Sequence, residues 1–190
     1  MKRAYFQAHR SLGVAVGLAL VVGLTAADDP KKTVEAGGVT FKAPESWKSV
    51  PTKSQMRKAQ LKVEPVKGDD FPAELVVYVF PGGAGSVDDN VERWRKQFKD
   101  ADGAAPKVDS KKVKGKNVEA TRVEIAGHYH PTTFPGMPAE PDRDDARLLG
   151  AIVVTDKYGY FFKMVGPDKT MKEAAKAFDE LIGSLEVGGD

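Results

Sequence analysis

The chain has 190 residues, with 29 Lys or Arg and 27 Asp or Glu residues, and a formal net charge of +2. It contains no cysteine, which excludes disulfides, thiolate metal sites, cysteine nucleophiles and a lipid anchor carried on cysteine. A single domain with one sizeable core suits this length.

The N-terminal segment has the order of parts of a secretory signal peptide. Lys2, Arg3 and Arg10 precede an apolar run over residues 12–24, and small residues then provide a cleavage site. This run is shorter than the about 20 residues of a membrane-spanning helix. We therefore expect residues 1–27 to be removed, leaving a secreted or periplasmic protein without stable membrane insertion. An uncleaved N-terminal anchor is the alternative.

Loss of this segment changes what the charge implies. The three basic residues leave with it and no acid does, so the remaining chain carries a net charge of about −1. The isoelectric point of about 8.6 for the whole chain therefore gives no support to nucleic-acid binding. His9, one of the three histidines, lies in the same segment.

Apolar patterns predict the first strands of the domain. Residues 28–38 are polar and unpatterned, and are interpreted as a flexible leader. Alternation of apolar and polar side chains predicts strands over residues 39–43 and 57–63. A nearly continuous apolar run predicts a third strand over residues 74–80, covered on both faces.

Two helices are predicted from apolar spacing and capping residues. The first begins at a capping box formed by Ser86 and Asp89, and its apolar stripe runs through Trp94 to Phe98. The second begins at Thr170, with an acid three residues later, and has an apolar stripe of its own.

Strands between the helices complete the predicted order. Residues 107–113 and 117–129 read as one hairpin, and residues 148–155 and 160–165 as a second. Residues 131–145, with four prolines and four acids, are predicted to be a long loop. Strands that cluster together, and do not alternate with helices, favour an α+β fold in which helices pack a mostly antiparallel sheet.

The domain carries short motifs in a particular order. They are Phe41-Lys42-Ala43-Pro44 with Trp47, Ser54-Gln55-Met56-Arg57-Lys58-Ala59, Ala73-Glu74-Leu75, Gly82-Gly83-Ala84-Gly85 before a helix with Asn90, Trp94 and Phe98, Leu149-Gly150-Ala151-Ile152, and Tyr160-Phe161-Phe162-Lys163 before Gly166-Pro167 and Phe178. This series resembles the PsbP-like superfamily, in particular its secreted bacterial members, over about residues 39–187. The resemblance implies a single domain with a PsbP-like α/β/α sandwich.

The same resemblance bears on function. Named branches of the superfamily are an extrinsic subunit of the oxygen-evolving photosystem and a nuclear factor that binds a Ran-type GTPase. Both are binding proteins, so the resemblance implies a secreted, non-enzymatic binding or accessory module. The partner expected in this compartment is another envelope protein. Fold-level analogy carries no functional residues to this chain.

The glycine-rich segment at residues 82–85 lies between a strand and a helix, where phosphate-binding loops lie. No Gly-Lys-Ser/Thr follows it, and the third glycine of a dinucleotide fingerprint is missing. Asp88 and Asp89 would repel an anion at this helix start. The segment is interpreted as a tight connection to the helix.

His128 and His130 form a sharper candidate site. Alternation along a strand places both imidazoles on one face, opposite Val123 and Ile125, as in His-x-His pairs that bind zinc or copper. The main expectation is nevertheless a pair of surface histidines that bind no cofactor, and a zinc or copper site is the alternative. If a metal binds, its third ligand comes from a carboxylate of the adjacent loop: Glu140, Asp142, Asp144 or Asp145.

Catalytic motifs are not recognised in the sequence, so we expect no enzyme. There is no cysteine and no Gly-x-Ser-x-Gly elbow around any serine. A hydrolase with an unrecognised site is the remaining alternative. Its sign would be a buried carboxylate with a shifted pKa in a cleft.

Apolar residues in predicted loops are candidate partner contacts. Trp47 lies in an irregular stretch, where it is either packed or exposed, and Phe134 and Met137 lie in the long loop. Loops longer than about 12 residues in compact domains are often functional. We therefore expect residues 131–145, with His128 and His130 beside them, to form the contact surface.

Overall fold

Antiparallel strands make up most of the fold. The computed structural model describes residues 29–52, 54–132 and 141–188. The elements are β1 (Lys31–Ala36), β2 (Val39–Pro44), β3 (Lys48–Ser49), β4 (Arg57–Val63), β5 (Ala73–Pro81), α1 (Val87–Arg95), β6 (Phe98–Lys99), β7 (Val108–Lys114), β8 (Glu119–Tyr129), β9 (Arg143–Val154), β10 (Tyr158–Pro167), α2 (Asp168–Gly183) and β11 (Glu186–Val187). The predicted strands and both predicted helices are confirmed, with shifted ends.

Two sheets are present in the described part of the chain. The larger has eight strands in the order β3-β4-β5-β10-β9-β8-β6, with β7 also paired to β8, and the smaller has the order β1-β2-β11. All of these pairings are antiparallel. The predicted α+β sandwich with a mostly antiparallel sheet is therefore confirmed.

The large sheet separates two apolar clusters. Strand β9 shows this directly, because Leu149 and Ala151 belong to one cluster whereas Leu148 and Ile152 belong to the other. The first cluster also contains the apolar face of α2 and residues of β2, and the second contains Trp94 of α1. Helix α2 and the small sheet thus cover one face of the large sheet, and α1 covers the other.

Residues 28–38 were expected to form a flexible leader, and for residues 31–36 that expectation is wrong. Strand β1 pairs with β2 along its whole length, from Lys31 opposite Pro44 to Ala36 opposite Val39. Gly37 and Gly38, at φ 60° and 91°, make the turn between them. Because the side chains of β1 are mostly polar, its sequence pattern does not indicate a strand. The strand forms through its pairing with β2.

Helix α1 begins as the sequence predicts. The hydroxyl of Ser86 accepts a hydrogen bond from the backbone N–H of Asp89 at 3.0 Å, which satisfies a donor that the first turn leaves free. The helix ends at Arg95, however, and Phe98 lies in β6, opposite Tyr129 of β8. Phe98 is buried as predicted, but as part of a strand pair.

Helix α2 begins two residues before the predicted cap, at Asp168. Thr170 lies within its first turn and is not the cap. The carboxylate of Asp69, from a distant turn, accepts hydrogen bonds from the backbone N–H of Thr170 at 2.8 Å and from its hydroxyl at 2.5 Å. The N-terminus of α2 is thus capped by a residue 101 positions earlier in the chain, so no local sequence pattern reveals the cap.

The described helices do not have the length and apolar character needed to cross a bilayer. The predicted signal peptide, residues 1–27, lies outside the described residues.

Candidate functional site

The candidate site lies where β8 ends and β9 begins, at one end of this pair of strands. Gly127 pairs with Ala146 and Tyr129 with Arg143, so β9 has one residue more than β8 over this stretch. This is a β-bulge, and Asp145 adopts a left-handed φ of 46° within it. The extra residue brings the β9 aspartates opposite His128.

Neighbouring backbone fixes the two histidines. Lys99 of β6 pairs with His128, and the backbone N–H of His130 donates to the carbonyl of Gln97 at 2.7 Å. Tyr129, between the two histidines, is buried in the α1-side cluster together with Val123. The imidazoles therefore lie on the opposite side of the strand from Val123, as alternation predicts.

Two aspartates contact the imidazoles. Nδ1 of His130 lies 2.7 Å from Oδ2 of Asp142, and Nε2 of His128 lies 3.7 Å from the same oxygen. Nδ1 of His128 forms a short hydrogen bond with the carboxylate of Asp144. The ring centroids of the two histidines are 4.2 Å apart. Four residues named from sequence thus meet in one cluster.

The cluster is partly open to solvent. The side chains of His128 and His130 are 32% and 39% exposed, and those of Asp142 and Asp144 are 57% and 86% exposed. Exposed contacts of this kind contribute little to stability, typically about 0–1 kcal/mol each even between charged groups. The cluster is therefore not needed to hold the fold together, and its side chains remain accessible from solvent.

A second charged cluster lies on the same side of β8, nearer to α2. Arg122, which is 5% exposed, donates to Asp179 of α2 at 2.5 Å and to Glu124 at 2.8 Å. Burial disfavours the charged form of Arg122, but these hydrogen bonds outweigh it and raise the pKa of the guanidinium. Arg147 continues the cluster by contacting both Glu124 and Asp168. Paired charges satisfied in this way tie α2 to the sheet.

The candidate partner contacts have different outcomes. Trp47 is 4% exposed and packs in the larger apolar cluster, so it is not available to a partner, and the expectation of a contact there is wrong. The packed alternative therefore holds for this side chain. Phe134 and Met137 lie outside the described residues, so their role stays a prediction.

The glycine-rich segment at residues 82–85 forms a tight connection, as predicted. Gly82, Gly83 and Gly85 have φ values of 71°, 80° and 88°, which are left-handed conformations that favour glycine. The segment ends at the cap of α1, where the hydroxyl of Ser86 also hydrogen-bonds the carboxylate of Asp89 at 2.7 Å. These contacts fill the helix start with protein atoms.

Four acids of the adjacent loop are candidates for the third metal ligand from sequence, and the sequence does not distinguish among them. The structure selects Asp142 and Asp144 for contact with the imidazoles, whereas Asp145 provides the turn of the bulge. Glu140 lies outside the described residues. Gly127 within the predicted strand is the sequence signal of an irregularity here.

Comparison with known proteins identifies the architecture. No protein-family model matches the chain, and no curated protein matches it either. The solution structure of cyanobacterial PsbP (CyanoP) from Synechocystis sp. PCC 6803 is similar, with a TM-score of 0.52 and 14% sequence identity, over 90% of this chain and 98% of that one. The fold is PsbP-like.

A second solved structure shares the PsbP-like fold. LpqN, involved in cell envelope biogenesis of Mycobacterium tuberculosis, is similar with a TM-score of 0.52 and 11% identity, over 86% of this chain and 88% of LpqN. Identities this low establish the fold and not the activity.

Proposed function

We propose that the protein is a non-catalytic binding module that works outside the cytoplasm. As its contact surface we propose residues 131–145, with His128 and His130 beside them. The observation that carries the proposal is the PsbP-like fold, which this chain has in common with CyanoP and with LpqN, a protein involved in cell envelope biogenesis. The N-terminal basic and apolar segments support export.

Surface shape supports a macromolecular partner. Two recesses on the described surface, one beside α2 and one beside Phe98, have volumes of about 130 Å³ and 190 Å³. Pockets that enclose small molecules are commonly about 300–1,000 Å³. Neither of these two recesses has the volume to enclose a ligand of that kind.

The ionisation of the carboxyl groups does not favour the hydrolase alternative. The pKa values of three carboxyl groups, Asp89, Glu92 and Asp168, are lowered. A general acid needs the opposite shift, towards the working pH. These groups are held ionised by hydrogen bonds at helix starts and ends, which is a structural role.

Photo-crosslinking in living cells tests the proposed contact surface. The full chain would carry a photoreactive residue at Thr132, which lies beside the surface, and would be compared with a Phe134→Ser/Met137→Ser variant. A discrete crosslinked species in the envelope fraction that is lost in the double variant supports the proposal. Its persistence in that variant contradicts the proposed surface.

The matched control is Met56→Ser. Met56 is 56% exposed and precedes β4, three strands away from β9 in the large sheet. It tests loss of an exposed apolar side chain as such, so it should leave the crosslinked species unchanged.

Recovery of the protein only from the cytoplasmic fraction would contradict export.

A further inference from the structure

We propose that His128, His130 and Asp142 bind a divalent transition-metal ion, Zn²⁺ or Cu²⁺, with Asp144 orienting His128. This goes beyond the proposed function and does not rest on it, because the metal would bind whether or not a partner does. Each of the three residues offers a ligand atom, and these atoms lie within 4.8 Å of one another.

The distances suit a tetrahedral ion after a small adjustment. Metal–nitrogen and metal–oxygen bonds of about 2.0–2.1 Å place neighbouring ligand atoms about 3.3 Å apart. Oδ2 of Asp142 lies 2.7 Å from Nδ1 of His130 and 3.7 Å from Nε2 of His128, on either side of that value. Side-chain rotations that move the ligand atoms by less than 1 Å would bring both of these ligand–ligand distances to about 3.3 Å.

The contact between His128 and Asp144 is the second observation that points to a metal. Because Nδ1 of His128 is hydrogen-bonded to Asp144, the ring presents Nε2 towards Asp142 and His130. Imidazoles that bind metals commonly donate their other ring N–H to a carboxylate, which fixes the ring and makes the free nitrogen a better ligand. Asp144 is therefore a positioning residue and not a ligand.

The donor set selects the class of ion. Two imidazole nitrogens and one carboxylate oxygen suit Zn²⁺ and Cu²⁺, whereas Mg²⁺ and Ca²⁺ prefer oxygen ligands alone. The two carboxylates give the cluster two negative charges, which attract a dication and balance it. Three protein ligands leave a fourth position open to water.

Calorimetric titration of the exported, untagged protein with ZnCl₂ and CuSO₄ tests the inference. His9 lies in the predicted signal peptide; if the mass shows that it is retained, the titrations use a His9→Asn background. We expect one ion per chain with a dissociation constant below about 10 µM, tighter for Cu²⁺ than for Zn²⁺, and no heat with MgCl₂.

Variants separate the ligands from the positioning residue. His128→Ala/His130→Ala should lose at least 100-fold in affinity, and Asp144→Asn about 10-fold or more. The matched control is Asp156→Asn, since Asp156 is an exposed acid at the opposite end of β9. If the histidine double variant does not fold, Asp142→Asn tests the same ligand set with a substitution of equal size.

The NMR chemical shifts of the imidazole nitrogens distinguish metal binding from a purely structural role of the histidines. On addition of Zn²⁺, Nε2 of His128 and Nδ1 of His130 should shift as metal-bound nitrogens while Nδ1 of His128 keeps its proton. Unsaturable binding, a constant weaker than about 1 mM, or equal affinity in a folded histidine variant overturns the inference. None of these results depends on the crosslinked partner, so the two proposals fail separately.

Discussion

Gly150 lies against the indole ring of Trp94, and this contact makes a testable prediction about how α1 is held on the sheet. A Cβ added at Gly150 would lie 3.0 Å from two atoms of the ring and closer still to a third. Ordinary contacts between carbon atoms are about 3.5–4.0 Å. Trp94 is 7% exposed and belongs to the apolar cluster on this face, so the ring can move aside only by displacing other buried side chains.

Gly150→Ala should therefore destabilise the protein. Overpacking a filled core costs about 1–3 kcal/mol. Replacing glycine also restricts the unfolded chain, which returns about 0.4–1 kcal/mol. The expected net loss is about 1–2 kcal/mol in the free energy of unfolding, or a fall in Tm of about 2–8 °C for a domain of this size. Urea titration followed by tryptophan fluorescence and far-ultraviolet circular dichroism measures it.

The matched control is Gly183→Ala, which makes the same substitution where nothing lies within 4 Å of the added Cβ. Gly183 is the last residue of α2 and is exposed, so alanine should stabilise by up to about 1 kcal/mol. In a Trp94→Phe background the smaller ring leaves room, and Gly150→Ala should cost less than in the natural chain. Equal stability of Gly150→Ala and the natural chain, or an unchanged cost beside Phe, would refute the packing argument.

Two further predictions concern the start of α2. Asp69→Ala removes the long-range cap of Thr170 and should lower the free energy of unfolding by about 1 kcal/mol, measured by urea titration, whereas an unchanged midpoint would show that the helix needs no such cap. For Asp168, burial disfavours ionisation, but hydrogen bonds from Lys172 and Arg147 outweigh it and lower its pKa. The stability it contributes is therefore present above its ordinary pKa, about 3.9, and is lost as pH falls through the lowered value. Asp168→Asn should accordingly reduce the loss of stability seen in urea titrations between about pH 4 and pH 2, and an identical pH dependence would contradict this assignment.

Local patterns in the sequence determined the regular elements of this protein. The alternation in β4 and β8, the continuous apolar run of β5 and the Ser86 cap of α1 are set by residues close in sequence. The periods of strand and helix are properties of the local backbone, so side chains a few residues apart suffice to reveal them. The placement of His128 and His130 on one side of β8 follows for the same reason.

Tertiary structure alone decided how these elements are completed. Strand β1 is mostly polar in sequence and is a strand because it pairs with β2, and Trp47 is buried in a cluster to which distant parts of the chain contribute. Phe98 continues the apolar stripe of α1 in sequence but pairs with Tyr129, since a strand edge is available there. Such outcomes depend on hydrogen-bond partners that are far away along the chain.

The candidate metal site shows the division most clearly. The sequence predicts two imidazoles on one face of a strand and four acids nearby, but it does not indicate which of these acids reach the rings. One extra residue in β9, with Asp145 at positive φ, then decided that Asp142 and Asp144 reach the rings. A change of register by one residue redirects every side chain beyond it, and register is fixed by pairing between strands and not by either strand alone.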